Sequence, residues 1–174
     1  MLNYLSRMYQ AQSAPCAACN DLSLIHIFIN SLYLKPDVLE KTNLERFARY
    51  EVVKANEQAA QEYLCDDADI IITAFGASAR IAQSAVDMAR AKGIKAGLLR
   101  PIMLWPFPEK YVTKHLSHVK AFLSVEMNMG QMIDDVRLAV NGAVPVDFYG
   151  RVGGMIPTPQ AICDKIEKMY GGME

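Results

Sequence analysis

The stretch Ala121–Gln131, AFLSVEMNMGQ, runs apolar from Ala121 to Val125 and then offers Glu126, Asn128, Gly130 and Gln131 before a helical pattern begins. Open α/β sheets hold their working groups where a buried strand ends in a polar turn that feeds a helix. Glu126 can serve there as an acid, a base or a hydrogen-bond acceptor in a crevice. Two quieter roles stand beside that one. The carboxylate can accept backbone N–H bonds at a neighbouring helix start, or pair with Arg100 or Arg151, which the pattern puts on the same carboxyl edge. The balance favours a structural or interface role.

Gly76-Ala77-Ser78-Ala79 falls at an earlier strand-to-helix turn, where outward backbone N–H groups can hold a phosphate. It has neither the GxGxxG spacing nor a Walker Lys-Ser/Thr pair, and it is not a GxSxG nucleophile elbow. Ser78 is expected to act as a helix N-cap. Trp105 and Phe107 alternate with Pro106 and Pro108, which makes a rigid aromatic loop suited to docking and almost equally to core packing. The methionines of the helices after residue 78 follow helical spacing and are expected in the core. His115 and His118, near a predicted helix end, are expected to be solvated or to meet its carbonyls. Cys16-x-x-Cys19 has the form of a redox pair or half a metal site, but there is no second CxxC and no nearby His pair, so no site is expected.

The elements that must position these residues follow from the pattern. Residues 1–30 have no clean period, and Leu22–Ile27 matches a translated sequencing adapter, so the chain up to about Phe28 is expected to be artefactual or disordered. Residues 31–66 read as a helical connector in which Asp37 caps a first helix and Thr42 or Asn43 a second. From 67 to 174 the pattern is strand, helix, four times over. The strands are Ile70–Ala74, Ala96–Leu99, Ala121–Val125 and Val144–Tyr149. The helices carry Ile81, Ala82, Ala85, Met88 and Ala89; Tyr111, Val112 and Leu116; Met132, Ile133, Val136 and Val140; and Ile162, Ile166 and Met169. Pro108 and Thr158-Pro159 suit helix starts, and Lys92-Gly93 suits a helix end. Gly150-Arg151-Val152-Gly153-Gly154 is a flexible loop. The expected fold is a three-layer α/β/α domain on a mostly parallel sheet, preceded by a helical arm.

The totals agree with a soluble globular domain: 174 residues, 52% hydrophobic, 21% charged. A net charge of −1 gives no electrostatic case for nucleic acid or an anionic membrane. No window is long and apolar enough to span a bilayer, no secretory signal is visible, and four scattered cysteines fit a reducing, cytoplasmic setting.

Four strings then carry a signature: Ala68–Ala79 (ADIIITAFGASA), Leu99–Pro108 (LRPIMLWPFP), Val125–Arg137 (VEMNMGQMIDDVR) and Tyr149–Pro159 (YGRVGGMIPTP). With them, residues from about Ser31 to Glu174 resemble the C-terminal part of the alpha subunit of 2-oxoacid:ferredoxin oxidoreductases. The likeness is greatest to the branched-chain type acting on 3-methyl-2-oxobutanoate (2-ketoisovalerate), with 2-oxoglutarate- and pyruvate-specific members as alternatives. The resemblance implies a transketolase C-terminal-like domain, core domain II. It implies an enzyme that oxidatively decarboxylates a 2-oxoacid with thiamine diphosphate and Mg, forms an acyl-CoA and reduces ferredoxin through iron–sulfur clusters. The partners it implies are a thiamine diphosphate-binding beta subunit and ferredoxin-type subunits. The pyrimidine-binding domain with its activating glutamate, the GDG…N pattern and a CxxCxxC motif are not found in the sequence. The chain is therefore expected to be an inactive fragment that binds none of these cofactors itself and contributes subunit packing. Its signature and interface candidates are Gly76, Ser78, Arg100, Trp105, Glu126, Asn128, Gly130, Gln131, Arg151 and Gly153. A free-standing nucleotide- or CoA-binding module using the Gly76–Ser78 turn is the alternative.

Overall fold

Proline at a first helical position and a run free of glycine start α1, Pro36–Asn56, the first element of a computed structural model that describes residues 33–172. The expected second start at Thr42 or Asn43 does not occur. Thr42 Oγ1 instead donates back to the Val38 carbonyl at 2.8 Å, so the helix runs unbroken for 21 residues. No residue of α1 is buried. A compact unit begins at Phe47, and residues 33–46 lie outside it. Cys16, Cys19 and the adapter-like string lie outside the described residues.

The chain then forms a strand within the segment expected to be helical connector: β1, Ala60–Tyr63. It is held by pairing more than by its own residues, since Ala-Gln-Glu-Tyr has little β-branched content. The alternation of strand and helix continues with β2 (Ile70–Thr73), α2 (Gly76–Ala91), β3 (Ala96–Pro101), the short α3 (Glu109–Thr113), β4 (Ala121–Glu126), α4 (Met132–Val140), β5 (Val146–Gly150) and α5 (Pro159–Gly171). The sheet order is β1-β3-β2-β4-β5. All pairs are parallel except β1–β3, in which Gln61 lies opposite Arg100 and Tyr63 opposite Leu98.

Continuous apolar strands are what a sheet covered on both faces requires, and successive side chains divide between the two faces. Ile70, Ile72, Leu98, Leu123 and Val125 pack on one face with Ala82, Val86 and Ala89 of α2 and Ile162 and Ile166 of α5. Ile71, Leu99 and Phe122 pack on the other with Phe107, Val112 of α3 and Met132 and Val136 of α4. Each fully buried Ile, Leu or Phe contributes about 1.5–3 kcal/mol by leaving water. Met88, Met132 and Met169 join these layers as their spacing predicts. Thr158 and Pro159 start α5 as read, with Thr158 Oγ1 accepting from the Ala161 amide at 3.2 Å. The three-layer α/β/α arrangement is therefore present. Among the described residues no helix is long and apolar enough to cross a membrane.

The connections from β2 to β3 and from β4 to β5 leave on opposite faces, because α2 packs with the first layer and α4 with the second. The adjacent carboxyl ends of β2 and β4 therefore form the topological switch point of the sheet, where open α/β folds place ligands or contacts. Thr73 and Ser124 are register partners there.

Candidate functional site

Glu126 is the last residue of β4 and only 1% exposed. Strand alternation sends its side chain to the α3/α4 face, in line with Ser124 and Phe122. There Oε2 accepts from the Gln131 amide at 3.0 Å and the Met132 amide at 2.9 Å, while Oε1 accepts from the Ile133 amide at 2.9 Å and the Ser124 hydroxyl at 2.9 Å. The first amides of a helix lack intrahelical partners and carry its positive dipole end. Here a strand carboxylate meets them in place of a local cap, since Gln131 at the N-cap supplies no side-chain bond. Burial acts to raise the pKa of Glu126, but the Gln131 and Met132 amides, the Ser124 hydroxyl and the Ile133 amide together hold it below the ordinary carboxylate value. Of the roles open to this residue, the structure selects acceptance of helix-start N–H bonds.

The turn that follows is built around the same carboxylate. Asn128 Oδ1 accepts from the Gly130 amide at 2.7 Å, and Gly130 has φ +103°, a conformation open to glycine. The Arg151 amide donates to the Glu126 carbonyl at 3.1 Å, continuing the β4–β5 ladder past Gly150. A Cβ on Gly150 would come within 2.6 Å of the Asn128 carbonyl oxygen and 2.5 Å of Phe148 Cζ, so only glycine fits there. The sequence reads Gly150 as the start of a flexible loop, but it is the last residue of β5, and the close approach that requires glycine there leaves no local signal.

Several expectations are corrected. Arg100 does not pair with Glu126: it lies in line with Leu98 on the α2 face, the opposite side of the sheet, and β2 intervenes. Arg151 meets Glu126 through its backbone amide, and no ion pair joins the two. Ser78 is not an N-cap. The helix begins at Gly76 (φ +58°) with Phe75 at the cap and no side-chain cap bond, and Ser78 is buried in the first turn. Of the aromatic loop, Phe107 is core while Trp105 stays 54% exposed, edge-on to Tyr50 with centroids 5.4 Å apart. His115 is not solvated but 1% exposed, its Nε2 2.5 Å from Oε1 of Glu62, whose Oε2 accepts from Lys114 Nζ at 2.7 Å. His118 Nε2 meets the Cys65 carbonyl at 3.1 Å. Glu62 escapes a reading of the sequence because β1 does.

The loops at the carboxyl ends of three parallel strands leave large apolar side chains in water. Ile102, Leu104 and Trp105 follow β3, Met127 and Met129 follow β4, and Val152, Met155 and Ile156 follow β5; Met129 is 82% exposed. Gly153, φ +65°, sits in the last of these loops. Scattered exposed apolar residues are normal on a protein surface.

A sequence model described as pyruvate:ferredoxin oxidoreductase core domain II matches residues 68–162, more than half of the chain and all of β2 to β5. The chain belongs to the core domain II family of these oxidoreductases. Ketoisovalerate oxidoreductase subunit VorB of Methanothermobacter marburgensis is 39% identical over 155 residues, which cover 89% of this chain and 44% of VorB. The 2-oxoglutarate synthase subunit KorA of the same organism is 38% identical over 104 residues, covering 60% of this chain and 28% of KorA. This core domain II chain thus spans less than half the length of the curated relatives it matches. Two solved structures share its fold. A 2-oxoglutarate:ferredoxin oxidoreductase from Magnetococcus marinus has a TM-score of 0.62 at 19% identity over 78% of this chain and 24% of its own. A split-gene transketolase has a TM-score of 0.54 at 19% identity, over 63% of this chain and 40% of its own. The transketolase-like fold is therefore present in this domain.

The thiamine diphosphate, metal and clusters used by the family find no fitting residues in what is described. An activating carboxylate must be free to meet the cofactor, and both oxygens of Glu126 are engaged by α4 and Ser124. The buried Cys65 thiol lies against the Leu98 carbonyl, 3.2 Å away, and Cys163 is buried on the other face of the sheet.

Proposed function

We propose that this core domain II chain serves in a 2-oxoacid:ferredoxin oxidoreductase acting on 3-methyl-2-oxobutanoate, and that its part there is assembly. In that enzyme the 2-oxoacid is oxidatively decarboxylated to an acyl-CoA and ferredoxin is reduced. The chain alone is inactive, and it works in the cytoplasm with the thiamine diphosphate-binding and ferredoxin-type subunits.

The observation that carries the assembly role is the carboxyl edge itself. Its one buried carboxylate is fully committed to holding α4, while the loops around it expose Trp105, Met129 and Ile156. Interfaces are enriched in aromatic residues and methionine at their centre. The branched-chain substrate is favoured by the 39% identity to VorB extending over most of the chain, against 60% coverage in the match to KorA.

A domain exchange tests both parts. The matching segment of Methanothermobacter marburgensis VorB is replaced by this chain, and the hybrid is co-expressed with the other subunits of that enzyme. The expected hybrid assembles and reduces ferredoxin with 3-methyl-2-oxobutanoate in preference to 2-oxoglutarate or pyruvate. Met129→Asp with Ile156→Asp should abolish co-purification while leaving the melting of the isolated chain unchanged. A hybrid that assembles equally well with the two aspartates overturns the assembly surface; one that assembles but turns over no 2-oxoacid overturns the enzymatic reading.

A further inference from the structure

A groove opens on the α2 face of the sheet beside β1. Gln61 and Arg100, register partners on β1 and β3, line it from the sheet, and Arg80 and Gln83 line it from the first turns of α2; Tyr63 and Leu98 complete its wall. No lining residue is acidic. Several basic side chains elsewhere on this unit pair with carboxylates, among them Arg90 with Asp67, Lys114 with Glu62, Lys120 with Asp69 and Lys165 with Asp147. Among the described residues, Arg80 and Arg100 have no such partner. The nearest candidate acid on α2, Asp87, accepts the Tyr63 hydroxyl at 2.8 Å. The first turn of α2 adds no acidic side chain and no side-chain cap.

We propose that this groove binds a phosphate group. Two guanidinium forks bind oxyanions in a planar, two-bonded geometry that lysine cannot reproduce. Two forks and the two carboxamides beside them supply about six N–H bonds, more than the roughly four lone-pair positions of a carboxylate, whereas the oxygens of a phosphate can accept them all. The ligand is a phosphate-bearing small molecule or free phosphate. The groove is distinct from the apolar carboxyl loops, and the proposal stands whether or not those loops serve in assembly.

The test is an amide chemical-shift titration of the 174-residue chain with inorganic phosphate, pyrophosphate and ADP, each against sodium chloride at matched ionic strength. The expected result is saturating shifts confined to residues 61–63, 79–83 and 98–100. Tighter saturation by ADP or pyrophosphate assigns an organic phosphate, and saturation by inorganic phosphate alone assigns the free ion. Arg80 is exposed, so Arg80→Gln leaves folding intact and should weaken binding about tenfold, the loss of one charged bidentate contact. Arg80→Lys should restore only part of it. Shifts that grow linearly and match those in sodium chloride, or an Arg80→Gln, Arg100→Gln chain that titrates like the parent, overturn the proposal.

Discussion

The Ile133 amide donates to Oε1 of Glu126 across 2.9 Å, so the last residue of β4 fixes the first turn of the helix that starts six positions later. With the Gln131 and Met132 bonds it ties strand, turn and helix into one unit. Replacing Glu126 with glutamine keeps the shape but turns an amide NH2, itself a donor, toward backbone donors. That leaves buried N–H groups unsatisfied, at about 1–3 kcal/mol for each group lost. Glu126→Gln should therefore lower stability by roughly 2–4 kcal/mol in urea unfolding, and amide exchange should rise first at residues 130–134.

The same bond network sets an acid limit. The folded-state pKa of Glu126 lies below its unfolded value, so its contribution is complete above the unfolded pKa and is lost as pH falls through the folded one. Unfolding free energy should fall on acidification below the unfolded carboxylate pKa, about 4.3. The Glu126→Gln chain should show a shallower fall over that window, and parallel curves for the two chains would count against the assignment.

Glu62 joins β1 to the segment after α3 through His115 and Lys114. Burial acts to raise its pKa, but the bonds and charges of Lys114 and His115 bring it below the usual value. Glu62→Gln should leave the parallel strands protected while hydrogen exchange speeds up at Ala60–Tyr63, a local opening of an edge strand. Removal of Glu62 from a partly buried charged pair should cost about 1–3 kcal/mol. Unchanged protection of β1 would show that main-chain pairing alone holds it.

How much of this was legible depends on where the signal resides. Ile70-Ile71-Ile72 and Ala121–Val125 announce buried strands through their own composition, so the sheet and its helices follow from the sequence. Ala60-Gln-Glu-Tyr63 does not, because β1 is stabilised by its pairing to β3, and so Glu62 and the environment of His115 were hidden. Glu126 was legible as a position, since a charge ending an apolar strand stands out. Its partners were not, because they are backbone amides that no side-chain pattern encodes. Arg100 and Glu126 were expected near one another from edge alone; the face each residue takes required the strand register.

Cys65 is 2% exposed, and burial pushes its thiol up to about 11. Thiolate is the reacting form. Peptide-resolved alkylation at pH 8 should label Cys65 at least about a hundredfold more slowly in the native chain than in urea. A thiol near 11 is ionised about a hundredfold less at that pH than one at its ordinary value of 9.0, and burial also hinders the reagent's approach. Rapid native labelling would indicate that β1 opens often enough to expose it.

Thr73 lies at the switch point opposite Ser124, fully buried, and its Oγ1 finds no hydrogen-bond partner among the described residues. Ser124 already donates to Glu126 at 2.9 Å. A buried hydroxyl without a partner costs free energy that an apolar group of the same shape does not. Thr73→Val keeps the β-branched shape and should raise stability by about 0.5–2 kcal/mol, while Ser124→Ala, which removes a donor to a buried carboxylate, should lower it. The two substitutions are isosteric or nearly so and sit on paired strands, so opposite signs in the same urea series isolate the hydroxyl chemistry from packing. A loss of stability in Thr73→Val would instead mean that the hydroxyl has a partner at the switch point, and that the carboxyl end of β2 holds a polar ligand beside Ser124.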